Sequence, residues 1–121
     1  MSTLYEQLGG QAAISDAVDI FYEKVLSDDL ISPFFYYTDM AEQFKKQELF
    51  LSMVFGGPVN YSTENLRKIH APLIKKGLNE EHFNAVASYL KLTLEEMNVP
   101  DNLISEAMDI VASTKNDILN L

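Results

Sequence analysis

Residues 64–74 read ENLRKIHAPLI and carry one of only two histidines in this chain of 121 residues. His70 lies between FGGPVNYST (55–63), where glycine and proline predict a loop, and the break KKGLN (75–79). Pro72 also disturbs a helix, because it lacks a backbone N–H. We therefore expect His70 to lie on a short, interrupted helical piece. Apolar residues surround it at near-helical spacing, namely Leu66, Ile69, Leu73 and Ile74.

The rest of the chain has a regular helical periodicity. Four apolar stripes predict four amphipathic helices. The first helix is expected over about residues 11–27, and the other three stripes run over residues 40–54, 83–97 and 103–118. Asp39, Asn79 and Asp101 are the expected N-caps. Residues 27–39 (SDDLISPFFYYTD) contain a proline and predict irregular structure or a one-turn helix. Because no alternating strand pattern competes, the sequence predicts a single all-α domain over residues 1–121. Four long helices together with an interrupted segment that carries a histidine do not fit a simple up-down bundle.

The composition excludes several classes of function. The formal net charge is −9, with 18 acidic and 9 basic residues, which argues against binding to nucleic acid or to an anionic membrane. The chain has no cysteine, so disulfides, zinc–thiolate sites and iron–sulfur clusters are excluded. It shows neither a secretory signal nor an apolar run that could span a bilayer. We expect a soluble, cytoplasmic protein.

His70 raises the question of a metal. A site built from side chains needs three or four ligands, whereas His70 and His82 are separated by a break and no further ligand pattern joins them. Haem needs only one axial histidine, because the porphyrin supplies four nitrogens. The alternative is a core histidine bonded to a backbone carbonyl. His82 is expected at the surface, in the first turn of its helix.

The second predicted helix places three polar side chains in a sector about 100° wide: Gln43, Lys46 and Gln47, with Phe50 beside them. Gln47 lies on the apolar stripe, so its amide is either satisfied at the edge of the core or directed into a cavity for a polar ligand. Lys46 could pair with Glu42 one turn earlier. Tyr22, on the first helix, either exposes its hydroxyl or meets the two glutamines across such a cavity.

These residues, taken in order, resemble the group I truncated haemoglobins. The resemblance covers nearly the whole chain, through LYEQLGG, FYEKVLSDD, FF, DMAEQFKKQELF, FGG, LRKIHAPL, GLNEEHF and EMNVP. It implies a two-over-two helical sandwich in which the proximal segment is mostly loop-like. It also implies that His70 is the proximal ligand of the haem iron and that Phe35 packs against the porphyrin.

The resemblance further implies that Tyr22, Gln43 and Gln47 hydrogen-bond the gas ligand, with Phe50 beside them. The apolar wall of the haem site would consist of Leu66, Ile69, Leu73, Phe83, Val86 and Leu90. Lys46 has three possible roles, namely solvated partner of Glu42, partner of a haem propionate, or distal iron ligand. Some members of the family that the chain resembles attach haem covalently through a histidine near the C-terminus. Since STKNDILNL contains no histidine, the resemblance implies that haem b is bound non-covalently.

The function implied by this resemblance is reversible binding of O2, and also of NO and CO, by a monomeric haem protein, which could serve in oxygen transport. An alternative is a nitric oxide dioxygenase that works with a separate electron-donating reductase. A second alternative, which sets the resemblance aside, is a haem-free helical interaction module in which His70 is a core residue.

Overall fold

A computed structural model describes residues 3–57 and 63–119. These residues contain no β-strand. Their helices, in chain order, are α1 (Leu4–Leu8), α2 (Gly10–Leu26), a 3-10 helix (Ser32–Phe35), α3 (Met40–Val54), α4 (Thr63–Lys75), α5 (Glu80–Glu96), α6 (Asp101–Ser113) and α7 (Lys115–Leu119). The all-α class is therefore confirmed, and the one-turn helix expected within residues 27–39 is present.

Helix α2 is the centre of the fold. It packs against both α3 and α5, and α5 packs in turn against α6. Its inward face repeats every three or four residues and is buried, with Ile14, Val18, Phe21 and Val25 all nearly inaccessible. The pair α2–α3 thus meets the pair α5–α6 through the contact between α2 and α5, which is the expected two-over-two sandwich.

Side-chain caps set the starts of the long helices. The Asp39 carboxylate accepts a hydrogen bond from Ala41 N (3.1 Å) at the start of α3. The Asn79 amide oxygen accepts one from Glu81 N (2.9 Å) at the start of α5. Both caps are as predicted. Asp101 is instead the first residue of α6, after Pro100 at the N-cap, and its negative charge lies in the first turn.

The stripe expected to form one helix over residues 103–118 is divided in two. Helix α6 ends at Ser113, and α7 begins after Thr114. The Thr114 hydroxyl donates to the Val111 carbonyl (2.7 Å), and the Thr114 backbone N–H donates to the same oxygen (3.0 Å). A side chain that competes for a backbone acceptor in this way favours the end of a helix.

The expectation of a mostly loop-like segment around His70 is wrong for residues 63–75. These residues form the 13-residue helix α4, with Pro72 inside it. Pro72 removes the N–H that would pair with the Lys68 carbonyl, but it lies on an exposed face, where water can satisfy that carbonyl. Packing against α7 stabilises α4 despite the missing hydrogen bond.

The segments flanking α4 match the prediction more closely. Gly77, with φ of 104°, closes the C-terminal end by donating its N–H to the Ile74 carbonyl (3.0 Å). This break lies within the predicted KKGLN interruption. Of the predicted loop over 55–63, residues 58–62 lie outside the described part of the chain.

Candidate functional site

A cavity of about 390 Å³ lies among α2, the 3-10 helix, α3, α4, α5, α6 and the short α7. Its size is within the range of small-molecule and cofactor pockets. Most of its lining is apolar or aromatic. Its polar lining residues are Tyr22, Thr38, Gln43, Lys46, Gln47, His70, His82 and Thr114. The cavity therefore combines a large apolar surface with a small number of polar groups.

Tyr22 is the most constrained of these polar residues. Only 2% of it is exposed. Its ring stacks on Phe44 (centroids 4.9 Å apart) and meets Phe21 and Phe35 edge-on at 5.1 and 5.8 Å. These three rings fix the phenol in one orientation.

The Tyr22 hydroxyl meets Gln43, whose Nε2 donates to the phenol oxygen at 3.0 Å. Because Gln43 occupies a lone pair of this oxygen, the hydroxyl proton remains available for donation to another acceptor. Burial raises the pKa of Tyr22 to about 12, although the Gln43 hydrogen bond partly opposes the shift. The phenol is therefore a neutral donor throughout the physiological pH range.

Gln47 lies one turn after Gln43 on α3 and lines the same cavity, half-buried. Within the described part of the chain the structure gives its amide no hydrogen-bond partner. The expected meeting of Tyr22 with the glutamines is thus realised for Gln43 alone. The Gln47 amide is available to a polar group in the cavity.

Lys46 lines the cavity and is exposed to solvent, so it lies at the mouth of the cavity. The interpretation that Lys46 pairs with Glu42 is wrong. It is Lys45 that pairs with Glu42, at 3.7 Å. On a helix, side chains three residues apart can meet as readily as those four residues apart. Here the Glu42 carboxylate lies towards Lys45, three residues later.

His70 is half-buried on α4 and lines the cavity. It is accompanied there by Leu73, one turn later on the same helix. The side chains of Leu66 and Ile69, which were expected in the apolar wall, lie outside the described part of the chain. The other expected wall and packing residues all line the cavity, namely Phe35, Phe50, Phe83, Val86 and Leu90.

His82 lies in the first turn of α5 and is partly exposed, as the sequence predicts, but it also lines the cavity, which the sequence did not indicate. Its Nδ1 accepts a hydrogen bond from Asn79 N (3.0 Å), which completes a capping box, and its ring meets Phe34 edge-on at 5.0 Å. The spacing Asn-x-x-His could have signalled the cap, because position N3 of a capping box is where a side chain returns to the N-cap backbone.

Two threonines also line the cavity without having been singled out, Thr38 before α3 and Thr114 between α6 and α7. Thr114 belongs to an apolar stripe in the sequence, so its burial was predictable. No local signal distinguished Thr38.

The donor set of this cavity suits haem better than a bare metal ion. Within residues 3–57 and 63–119, no group of three or more His, Cys, Asp or Glu side chains could hold a metal. One imidazole is sufficient when the cofactor brings its own four nitrogens. Five phenylalanine rings line the cavity and provide the apolar surface that a flat macrocycle needs: Phe21, Phe34, Phe35, Phe50 and Phe83.

The bacterial-like globin family model matches residues 3–120 of the chain. A group 1 truncated haemoglobin of Synechocystis is 49% identical over 99% of this chain and 99% of its own length. One from Tetrahymena thermophila is 43% identical over 97% of this chain and 94% of its own.

Solved structures agree with these sequence relatives. A 2/2 haemoglobin from Synechococcus, in the cyanomet state and with covalently attached haem, superposes with a TM-score of 0.94. The two sequences are 43% identical, and the superposition covers 99% of this chain and 100% of the Synechococcus chain. The ferric truncated haemoglobin of Tetrahymena pyriformis gives a TM-score of 0.88 at 41% identity, over 98% of each chain.

The fold, the largely apolar cavity that His70 lines, and these relatives define a haem-based gas-binding globin. The chain belongs to the bacterial-like globins and, within them, to the group 1 truncated haemoglobins. Among the described helices, none is both long and apolar enough to cross a membrane.

Proposed function

We propose that this protein binds haem b non-covalently in the cavity and holds O2, and also NO and CO, reversibly. The observation that carries the proposal is that His70 and the Tyr22–Gln43 pair line one apolar cavity. Haem supplies the reversible coordination of a diatomic gas at its iron. In this assignment His70 provides the proximal imidazole.

Tyr22 is the residue that sets gas affinity in this proposal. Its neutral hydroxyl would donate a hydrogen bond to a gas bound by the haem, while Gln43 and the three surrounding rings hold the phenol in place. A donor that is already oriented loses little entropy when it binds, so more of the hydrogen-bond energy appears as affinity. Gln47 offers its free amide as a second donor. The largely apolar wall lowers the local dielectric, which would strengthen both hydrogen bonds.

The assignment of His70 is tested by titrating apoprotein with hemin and recording absorption spectra. We expect the natural sequence to bind one hemin per chain. His70→Ala should lose the proximal coordination, and added imidazole should restore it. His82→Gln is the matched control, because glutamine at N3 keeps the capping box and should leave the spectrum unchanged. If His70→Ala has the spectrum and affinity of the natural protein, the assignment is wrong.

Lys46 is proposed to pair with a haem propionate, since it lies at the mouth of the cavity and Glu42 is paired with Lys45. We expect Lys46→Ala to release haem faster than the natural protein. We expect the absorption bands of the natural protein, like those of the variant, to stay unchanged between about pH 6 and 10, where a distal amine would begin to bind. Lys45→Ala is the control. Low-spin bands that grow with pH and vanish in Lys46→Ala would instead identify Lys46 as a distal iron ligand.

We propose that the haem is free of covalent links, unlike that of the Synechococcus relative. The chain has two histidines. His70 is assigned to the iron, and the Nδ1 of His82 accepts a hydrogen bond from Asn79 N. Extraction with acidified organic solvent should remove all haem from the protein. Haem that remains with the polypeptide, seen as added mass, would contradict this.

A further inference from the structure

Helix α4, which carries His70, lies near the surface in the part whose side chains the structure describes. None of the α4 side chains that the structure describes is buried. Pro72 also removes one of its internal hydrogen bonds. The helix packs chiefly against α7, a helix of only five residues. So short a helix is not stable in isolation, and α7 must itself be held in place.

Two ion pairs hold α7. Arg67 Nε on α4 lies 2.9 Å from Asp117 Oδ1 on α7. Lys115 Nζ, at the start of α7, lies 2.6 Å from Glu80 Oε1 in the first turn of α5. The first pair joins α4 to α7, and the second joins α7 to the helix that supplies much of the cavity wall. Together they form a continuous link from α4 to α5.

The position of Arg67 connects this link to the site. Arg67 precedes His70 by three residues, so the two side chains are neighbours on one side of α4. Arg67 and Asp117 are partly shielded, with 43% and 28% of their side chains exposed. Such a pair is screened less by salt and solvent than a fully exposed one. A rotation or shift of α4 that breaks this pair would also move His70.

We propose that Arg67 and Asp117 are a positioning pair that fixes α4, and with it His70, and so determines how long the protein retains haem. The inference rests on the proposed haem site. Neither residue contacts the iron in this proposal. Both act through the placement of α4.

The test uses a double-mutant cycle on the haem-loaded protein. Arg67→Met, Asp117→Asn and the double variant are mixed with excess apomyoglobin, and haem transfer is followed by absorption. Each single variant should release haem about fivefold faster, the effect expected for one partly shielded pair. The double variant should be no faster than the faster single variant, because the same interaction is already lost.

A second readout separates positioning from general stability. The iron–histidine stretching band of the ferrous protein should shift or broaden in Arg67→Met and Asp117→Asn. Glu96→Gln is the matched control, because it breaks an ion pair of similar length (2.8 Å to Lys24) that joins α2 to α5 through neither α4 nor α7. It should lower the unfolding temperature without changing the band or the rate of haem loss.

A third measurement needs no change at position 117. Rising ionic strength should accelerate haem loss from the natural protein more than from Arg67→Met, which lacks the Arg67–Asp117 pair that salt would screen. Additive effects in the cycle, equal salt dependence, or an unchanged iron–histidine band would each overturn the inference. Failure of the natural protein to bind haem would overturn the proposed function itself, a different and distinguishable result.

Discussion

Tyr22 is fixed by contacts that are distant in sequence. Its neighbours Phe35 and Phe44 come from two other segments, and Gln43 reaches its hydroxyl from 21 positions away. The sequence places Tyr22 at the edge of a helical face, where a tyrosine usually keeps its hydroxyl at the surface. Full burial follows from the packing of α2 on α3, which local periodicity does not reveal.

Replacing Tyr22 by phenylalanine should speed O2 release from the haem-loaded protein by about 10- to 150-fold. This is the kinetic equivalent of a hydrogen bond that contributes about 1.5–3 kcal/mol. CO release should change less, because bound CO is less polar. The measurement is stopped-flow ligand replacement. Tyr5→Phe, which removes a hydroxyl bonded to Gln11 outside the cavity, is the control. Equal O2 release in Tyr22→Phe and the natural protein would remove Tyr22 from the site.

The Tyr89 hydroxyl on α5 donates a hydrogen bond to the Asp28 carboxylate in the segment after α2. Donation from the Tyr89 hydroxyl lowers the pKa of Asp28. A carboxyl group whose pKa is lowered on folding contributes stability above its unfolded pKa. That contribution is lost as the pH falls through the folded value.

Tyr89→Phe should therefore raise the pKa of Asp28 towards its ordinary value. It should also lower stability at neutral pH and flatten the dependence of unfolding free energy on pH in the acid range. NMR titration of the Asp28 carboxyl carbon measures the first effect directly. Tyr36→Phe, at an exposed position, should leave the titration unaltered. An unchanged Asp28 pKa in Tyr89→Phe would show that the hydrogen bond does not exist in solution.

At the scale of elements, the helices that depend on local signals were predicted well. The start of α3 at Met40 and of α5 after Asn79 follow from caps, and α2 differs from the prediction by one residue at each end. Helix α4 was mispredicted because Pro72 is a strong local signal against a helix. The packing of α4 against α7 overrides that signal, and this contact is invisible in a local window.

Gly57 shows how closely the segment after α3 approaches α1. A Cβ added to Gly57 would lie 2.8 Å from Tyr5 Cδ2 and 2.9 Å from the Ser52 carbonyl oxygen. The Gly57 N–H donates to that same oxygen at 2.6 Å. Only glycine permits this approach without moving the backbone.

Gly57→Ala should lower the free energy of unfolding by about 1–3 kcal/mol, as overpacking does elsewhere. Urea unfolding measures it. Tyr5→Ala in the same chain should relieve part of this loss, because one of the two clashing groups is gone. Adding Tyr5→Ala to Gly77→Ala should restore no stability. The Gly77 Cβ would meet open space, and the cost of that substitution arises from a φ of 104°. Full stability of Gly57→Ala would contradict the close approach.

At the scale of the whole molecule, folding leaves a cavity of about 390 Å³ in a chain of 121 residues. A cavity lined mainly by apolar side chains forfeits packing energy until something fills it. Apoprotein is therefore expected to be markedly less stable than the haem-loaded protein.

The unfolding temperature should rise as hemin is added, until one equivalent per chain has been bound. Excess free hemin should then raise the free energy of unfolding by mass action, by about 2.7 kcal/mol when free hemin is 100 times its Kd. Calorimetry at several hemin concentrations measures this. A porphyrin without iron is an informative control, because it fills the cavity but cannot bind His70, and should stabilise less. Equal stabilisation by both would indicate that His70 contributes no coordination.

The sequence by itself determined the all-α class, most helix boundaries and the candidates His70, Tyr22, Gln43 and Gln47. Caps, helix breakers and apolar periodicity act within a few residues, so they can be read locally. The tertiary structure alone decided which candidates meet. It joined Gln43 to Tyr22, brought His82 into the cavity and kept α4 helical through Pro72. Each of these outcomes depends on side chains from separate helices, whose contacts form only when the chain folds as a whole.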